Sequence, residues 1–171
     1  MPDIRFIMVQ SPEPCNPRST AAHMGYATIA EIGAERIRRA GEKIRKDFGV
    51  GEGLDIGFRY LKLSSSHLDE DGNVKEDRLD EDLLFWSMLH FGLDLSSQIK
   101  KKRIDGQTVF EVDNGKLIAC FGHITRKITN SMVSAKPVNA VFFGGGLTDD
   151  ARDHMYNAFK RRSPETVIKL I

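Results

Sequence analysis

The N-terminal third of the chain alternates apolar runs with an amphipathic helix. Residues 4–10, IRFIMVQ, are almost continuously apolar, which is typical of a strand covered on both faces. Prolines end this strand, and Thr28 and Glu31 then form the capping-box pattern that begins a helix. Apolar residues at helical spacing predict one buried seam along it: Ile29, Ile32, Ile37, Ala40 and Ile44. Residues 57–63, GFRYLKL, are the next predicted strand, so the order predicts a βαβ unit with a right-handed crossover.

A different pattern follows a polar linker at residues 69–80. Residues 81–92 are apolar nearly all round and end at Gly92, which predicts a helix buried between layers. The dipeptides Asp105-Gly106 and Asn114-Gly115 favour the positive φ angles of tight turns, so the segments around them predict an antiparallel meander. The last predicted elements are a helix, a strand, a helix and a strand: 125–135, VNAVFF, 148–162 and TVIKL.

Together these elements predict an α/β chain with two modules. Residues 1–68 are expected to form a partial parallel layer, and residues 81–171 a compact α+β domain with a βαβ-type end. The chain has 171 residues, of which 40% are hydrophobic and 29% charged, as in an ordinary globular protein. The net charge of +1 gives no global attraction to nucleic acid or to a membrane surface.

The sequence also indicates a cellular compartment. No apolar run approaches the ~20 residues of a membrane span. The first residues lack the basic region and the cleavage site of a signal peptide. Cys15 and Cys120 lie far apart and form no disulfide framework. We therefore expect a cytoplasmic protein without membrane contact.

Several segments carry a family resemblance: RFIMVQSPEP, TIAEIGAERIRRAGEKI, FRYLKL, EDLLFWSMLHFGLDLS, GQTVFEVDNGKLIACF and SPETVIKLI. In this order they resemble the C-terminal part of the modification subunit of type III restriction-modification systems. The similarity covers essentially the whole chain, and residues 29–44 are its most specific element. Members of that family are adenine-N6 DNA methyltransferases that use S-adenosylmethionine, so the resemblance implies a partial Rossmann-like methyltransferase sheet in residues 1–68.

The resemblance also implies what the chain lacks. In this family a catalytic tetrapeptide of the Asp-Pro-Pro-Tyr kind, the target-recognition region and a glycine-rich cofactor loop all precede the strand matched by residues 4–10. The chain contains no Pro-Pro dipeptide, so no residue is assigned a catalytic role. We expect it to begin one strand after the glycine loop and to be inactive alone. The implied partners are the preceding methyltransferase portion or a second copy, the restriction subunit, and DNA in the full complex.

Two residues are candidates for the cofactor. The resemblance implies that the end of strand 4–10 binds the ribose of S-adenosylmethionine. In this sequence Gln10 stands at that end, and Glu13 follows three residues later. The alternative is that Gln10 faces solvent and Glu13 lies in a proline-rich turn. The family is also expected to carry an aspartate where Ser64 stands and an asparagine near His67, so contacts to the adenine are in doubt.

Three other motifs favour structural interpretations, and a fourth, the cluster of cations at 100–103, is a candidate binding site. Phe142 to Gly146 fits a Phe-x-Gly-x-Gly nucleotide loop, but a plain turn accounts for it because no ribose-binding residue follows on the next strand. Cys120 and His123 are half of a metal spacing, so no metal site is predicted. The segment DEDGNVKED has its glycine at the wrong position for a calcium loop. The cations at 100–103 are candidates for phosphate or partner binding.

Two functions of different class stay open. The chain is either the tail of an adenine methyltransferase, or an autonomous protein-interaction module that contacts a modification or restriction subunit. Because the recognition region is absent, the sequence does not indicate a DNA target.

Overall fold

A computed structural model describes residues 6–49, 55–63, 74–75 and 78–171 of the chain. The chain divides into two compact units, Met1–Lys62 and Leu63–Ile171. Most of the predicted linker at 69–80, with Ser64, His67 and most of the calcium-like segment, lies outside the described residues.

The first unit contains two helices, α1 (Thr20–His23) and α2 (Ile29–Asp47). The predicted cap of α2 is confirmed, because Thr28 Oγ1 accepts a hydrogen bond from the backbone of Glu31 at 3.3 Å. The Glu31 carboxylate accepts in return from the backbone of Ala27 at 2.8 Å, one residue before the N-cap itself. Local chemistry therefore fixes where this helix begins.

The strands predicted on either side of α2 do not form in the described residues. Residues 6–10 and 57–63 are both irregular, so the predicted βαβ unit and its crossover are not formed in the described residues. A strand needs a neighbour for its backbone hydrogen bonds, and within the first unit the described bridge joins only Pro14 and Thr28. The sequence indicated that these two segments pair with each other, but the described residues do not form the hydrogen bonds of such a pair.

The predicted apolar seam of α2 is only partly buried. Ile32 and Ile37 are half-buried, whereas Ile29, Ala40 and Ile44 are exposed. Ile56 lies beside α2 at the point where Gly41 lacks a side chain, since a Cβ there would lie 3.0 Å from Cβ of Ile56. Ala30 is the one residue buried among those described in this unit. In the part of this unit that the structure describes, the expected sheet does not lie against the seam.

The second unit is a mixed five-stranded sheet with helices on both faces. Its elements confirm the predicted order: α3 (Asp80–His90), β1 (Ile99–Ile104), β2 (Gln107–Val112), β3 (Leu117–Cys120), α4 (Arg126–Ser134), β4 (Asn139–Phe142), α5 (Asp149–Arg162) and β5 (Val167–Leu170). The strands lie side by side in chain order. Strands β1 to β3 are antiparallel, and β3 to β5 are parallel through α4 and α5. The chain thus has an α/β fold.

Turn and cap residues produce these boundaries. Asp105 and Gly106 have φ angles of 51° and 79°, as the predicted two-residue hairpin requires. Asn114 and Gly115 also have positive φ values, within a short 3₁₀ turn between β2 and β3. Threonine N-caps precede α4 and α5, so both predicted helix starts are confirmed.

Alternating residues of the strands fill two cores. On one face, Val109, Ile118, Cys120, Ala140 and Phe142 pack against α4 and α5. On the other face, α3 packs against a second set: Phe110, Val112, Leu117, Ala119 and Val141. The helix α3 was expected to be buried all round, but it covers one face only, and its Leu89 is 62% exposed.

Candidate functional site

The two candidate cofactor residues lie in the exposed turn that precedes α1. The side-chain amide of Gln10 donates to the carbonyl of its neighbour Ser11 at 3.3 Å. The backbone carbonyl of Glu13 accepts from the Ile29 amide at 3.0 Å, while its side chain is exposed. Both side chains therefore face solvent, and by themselves they form no cradle for S-adenosylmethionine. Their assignment to the ribose stays a prediction.

The backbone of this turn is nevertheless held against the start of α2. The amide of Cys15 donates to the carbonyl of Ala27 at 2.8 Å, next to the Pro14–Thr28 bridge. The two backbone hydrogen bonds of this bridge tie residues 13–15 to residues 27–29, so the position of the Glu13 backbone relative to α2 is fixed. The structure thus orders the turn but adds no ligand-binding partner to it.

The glycine triplet after β4 forms a plain turn, as the sequence indicated. Gly144 to Gly146 make one 3₁₀ turn, and the Gly144 amide donates to the carbonyl of Ile171 at 2.7 Å. This bond uses an amide that a nucleotide loop would direct at a ligand. A Cβ at Gly145 would lie 2.8 Å from the ring of Phe143, so a larger residue there would require that ring to shift.

Cys120 is a core residue of β3. It is fully buried, and burial raises the pKa of its thiol above the usual range. The neutral thiol is the unreactive form, so the geometry supports no nucleophilic role. Among the described residues no three His, Cys, Asp or Glu side chains come together as a metal site.

Two arginines of α2, Arg38 and Arg39, are paired with Glu35 of the same helix. Glu35 receives a hydrogen bond from Arg39 Nε at 2.7 Å and another from Arg38. The hydrogen bond from Arg39 is the main cause that holds the pKa of Glu35 below its usual range, and the contact with Arg38 lowers it further. Arg39 also reaches the hydroxyl of Tyr26 at 3.5 Å, so its charge is not presented alone.

The cations at 100–103 lie on β1, and they contact different partners instead of forming one continuous basic surface. Lys101 pairs with Glu81 of α3, and Lys102 Nζ lies 2.5 Å from a carboxylate oxygen of Glu111 on β2. Lys100 donates to the side chain of Asn114 at 3.0 Å. The hydrogen bond from Lys102 lowers the pKa of Glu111. Strand geometry thus separates four adjacent charges into different environments.

Sequence reasoning missed one cluster between α3 and β5. Lys169 Nζ lies 2.9 Å from His90 Nε2 and 5.6 Å from the centre of the Trp86 ring. The rings of Trp86 and His90 stack at 5.5 Å. The available signal in the sequence was Lys169, a charged residue within the apolar strand TVIKL, which indicates that a polar or aromatic partner lies nearby. The cluster packs α3 against the strand and contains no carboxylate.

A shallow depression beside α4 is the described cavity of the second unit. It has a volume of about 40 Å³, and apolar side chains form most of its floor: Ile104, Val109, Ile118 and Met132. This volume is far below the 300–1,000 Å³ or so of a typical cofactor pocket. It therefore offers no site for an organic cofactor.

Comparison with known proteins adds no assignment. No protein-family model matches the chain, and no curated protein matches it. In the part of the chain that the structure describes, no helix has the length and apolar character needed to cross a membrane.

Proposed function

We propose that the chain is the C-terminal portion of an adenine-N6 DNA methyltransferase, the modification subunit of a type III restriction-modification system. Residues 4–10 and 57–63 become strands of a Rossmann-like sheet when the preceding methyltransferase portion supplies their neighbours. That portion also carries the catalytic tetrapeptide and the cofactor loop, so this chain performs no catalytic step alone. The system works in the cytoplasm, where two unpaired cysteines stay reduced.

The observation that carries the proposal is the exposure of residues 6–9. Phe6, Ile7, Met8 and Val9 are 64%, 92%, 68% and 94% exposed. Burying one large apolar side chain stabilises by about 1.5–3 kcal/mol, so covering all four is worth roughly 5–10 kcal/mol. An exposed apolar run of this kind marks an interaction surface. A neighbouring strand would satisfy its backbone as well as its side chains.

Reconstitution tests this proposal directly. The chain is co-expressed with the N-terminal methyltransferase portion of a type III modification subunit, and transfer of labelled methyl groups from S-adenosylmethionine to DNA is measured. The chain alone is expected to give no transfer above a mock preparation, because nothing in it orients the target amino group. The combined halves are expected to copurify and to methylate DNA.

Two charge substitutions make the test specific. Ile7→Asp with Val9→Asp places carboxylates on the exposed run and is expected to abolish copurification and methyl transfer. Leu89→Asp puts the same charge on an exposed leucine of the second unit and should preserve both. Methyl transfer by the chain alone, or full activity of the double variant, would contradict the proposal.

Light scattering on the chain alone gives a separate result. An uncovered apolar segment of this length is expected to pair with a second copy, so the apparent mass should rise with concentration. The co-expressed half should suppress this rise. A strictly monomeric mass at high concentration would show that the segment needs no cover.

The second unit supports an alternative, an autonomous module that contacts a modification or restriction subunit. Its sheet is packed on both faces by its own helices, so its core does not depend on the first unit. A fragment of residues 63–171 should then unfold cooperatively and bind a restriction subunit as tightly as the whole chain does. Binding that requires residues 1–62 favours the methyltransferase assignment.

A further inference from the structure

The open edge of the sheet in the second unit has a defined hydrogen-bonding pattern. Strand β1 is the first strand of the sheet and pairs only with β2 among the described residues. Ile104 and Gln107 flank a two-residue hairpin, so they form a hydrogen-bonded pair and the pattern alternates from there. The bond from the Asp113 amide to the Gln98 carbonyl, at 2.9 Å, continues this alternation. The backbone groups of Ile99, Lys101 and Arg103 therefore point away from β2.

The cations of β1 flank this open edge on both faces of the sheet. Lys101 and Arg103 share the face of α3, because their neighbour Ile99 packs into the core beneath α3. Lys100 and Lys102 lie on the opposite face, with Ile104, which packs against the α4 side. All four side chains are exposed.

The charge of this edge is only partly compensated. The carboxylates of Glu81 and Glu111 pair with Lys101 and Lys102. Lys100 contacts a neutral amide, and Arg103 has no partner among the described residues. The edge therefore presents excess positive charge beside unpaired backbone donors and acceptors.

We propose that β1 binds an extended acidic segment of a partner protein, which adds to the sheet as a sixth strand. The backbone groups of residues 99, 101 and 103 would supply the hydrogen bonds of strand addition. Carboxylates at consecutive positions of the segment would alternate between the two faces and meet cations on both. This surface belongs to the second unit and does not depend on the methyltransferase assignment.

The arrangement of charges selects against two other occupants. A second copy of the chain would bring its own four cations against these four, and like charges opposite one another are destabilising. The phosphates of a nucleic acid backbone only accept hydrogen bonds, so they would not pair with the outward carbonyls of residues 99, 101 and 103. A strand with alternating side chains is the ligand that reaches both pairs.

Fluorescence anisotropy with a labelled peptide tests the proposal. The probe, Thr-Val-Glu-Asp-Glu-Glu-Val-Thr with blocked ends, should bind the whole chain with micromolar affinity. Two versions keep the same charges: one carries N-methyl groups on alternate amides, which leaves one backbone edge intact, and the other on all central amides. The first should bind within about twofold of the parent, and the second at least tenfold more weakly, because it cannot pair as a strand.

A matched pair of protein variants probes the same edge. Lys101→Gln removes a charge but keeps the outward N–H, and it should weaken binding about two- to fivefold. Lys101→Pro removes that N–H as well while sparing the bonds to β2, and it should weaken binding at least tenfold. Unfolding followed by Trp86 fluorescence shows whether the proline variant is folded; if it is not, the methylated peptides decide.

Three results would overturn the proposal. They are no peptide binding, equal binding of all three peptides, and displacement of the peptide by an equimolar DNA duplex at physiological salt. Equal binding would mean that charge alone attracts the peptide, and displacement by DNA would assign this edge to phosphates. None of these results bears on methyl transfer by the reconstituted halves, so the two proposals fail separately.

Discussion

Replacing Leu84 by alanine should destabilise the second unit strongly, whereas the same change at Leu89 should not. Both leucines lie on α3, so the chemistry and the helix are identical. Leu84 lies on the side of α3 that packs against the sheet and is only 1% exposed, whereas Leu89 lies on the outer side and is 62% exposed. Truncating a fully buried leucine costs about 3 kcal/mol, from lost burial plus the cavity left behind. At Leu89 most of the side chain already contacts water, so the cost should stay below about 1 kcal/mol.

The sole tryptophan makes the assay specific to this unit. Trp86 is in α3, stacked on His90, so its fluorescence reports unfolding of the second unit within the whole chain. With a urea dependence of about 1–2 kcal/mol per molar, the Leu84→Ala midpoint should fall by roughly 1.5–3 M. The Leu89→Ala midpoint should fall by less than about 0.5–1 M on the same basis. Equal shifts, or a loss below about 1 kcal/mol at Leu84, would mean that α3 is not packed on the sheet as described.

Three further predictions use the same chain. Thr148→Ala removes the N-cap oxygen of α5, which accepts from a backbone amide at 3.3 Å, and should cost about 1 kcal/mol, with Thr148→Ser restoring most of it; no change in the urea midpoint would show that the cap is not formed. The hydrogen bond from Lys102 lowers the pKa of Glu111 from its ordinary 4.5, so the pair stabilises the fold above that pH, and this contribution disappears as the pH falls through the lowered pKa. The melting temperatures of the parent and of Lys102→Gln should therefore converge in acid. A gap between them that stays constant with pH would refute the pairing. Calorimetric titration of the chain alone with S-adenosylmethionine should give no saturable heat, and alanine at Gln10 and Glu13 should not alter the trace; a micromolar signal that the double variant abolishes would reveal a functional pocket.

Sequence alone predicted the second unit well because its determinants are local. The φ angles of Asp105 and Gly106 are those that only a few residue types adopt easily, so the hairpin position follows from the dipeptide. Threonine caps likewise fixed the starts of α4 and α5. The exposure of Leu89 was not predictable from periodicity, because a helix that is apolar all round carries no signal for which side meets the sheet.

The first unit was predicted less well because strands depend on distant partners. Residues 6–10 have the composition of a buried strand, yet strand formation requires hydrogen bonds from a neighbouring segment. The helix α2 formed as predicted because its cap and its internal bonds need no partner. For the candidate site, the sequence suggested Gln10 and Glu13 by resemblance, and both side chains are exposed without a ligand-binding partner among the described residues.

The cations on β1 illustrate a third kind of limit. The sequence identified them as one basic group, whereas the pairing register places two on each face of the sheet. The strand period of two residues already implied this division, since successive side chains alternate. Which face met which helix, and which backbone groups stayed unpaired, required the register and the hairpin geometry.

Each unit exposes one segment that is able to form or extend a sheet, but only the segment of the second unit is charged. This difference in charge supports the proposed assembly. Strand β1 is an open edge in the second unit, and it carries four consecutive cations that discourage pairing with its own copies. Residues 6–9 are at least as able to form a strand, yet they carry no charge and stand more than half exposed. Exposed apolar segments favour aggregation unless something covers them. Charge thus protects the open edge at β1, whereas residues 6–9, which form no strand among the described residues, carry none. This difference is expected if the proposed methyltransferase portion supplies a sheet that covers residues 6–9.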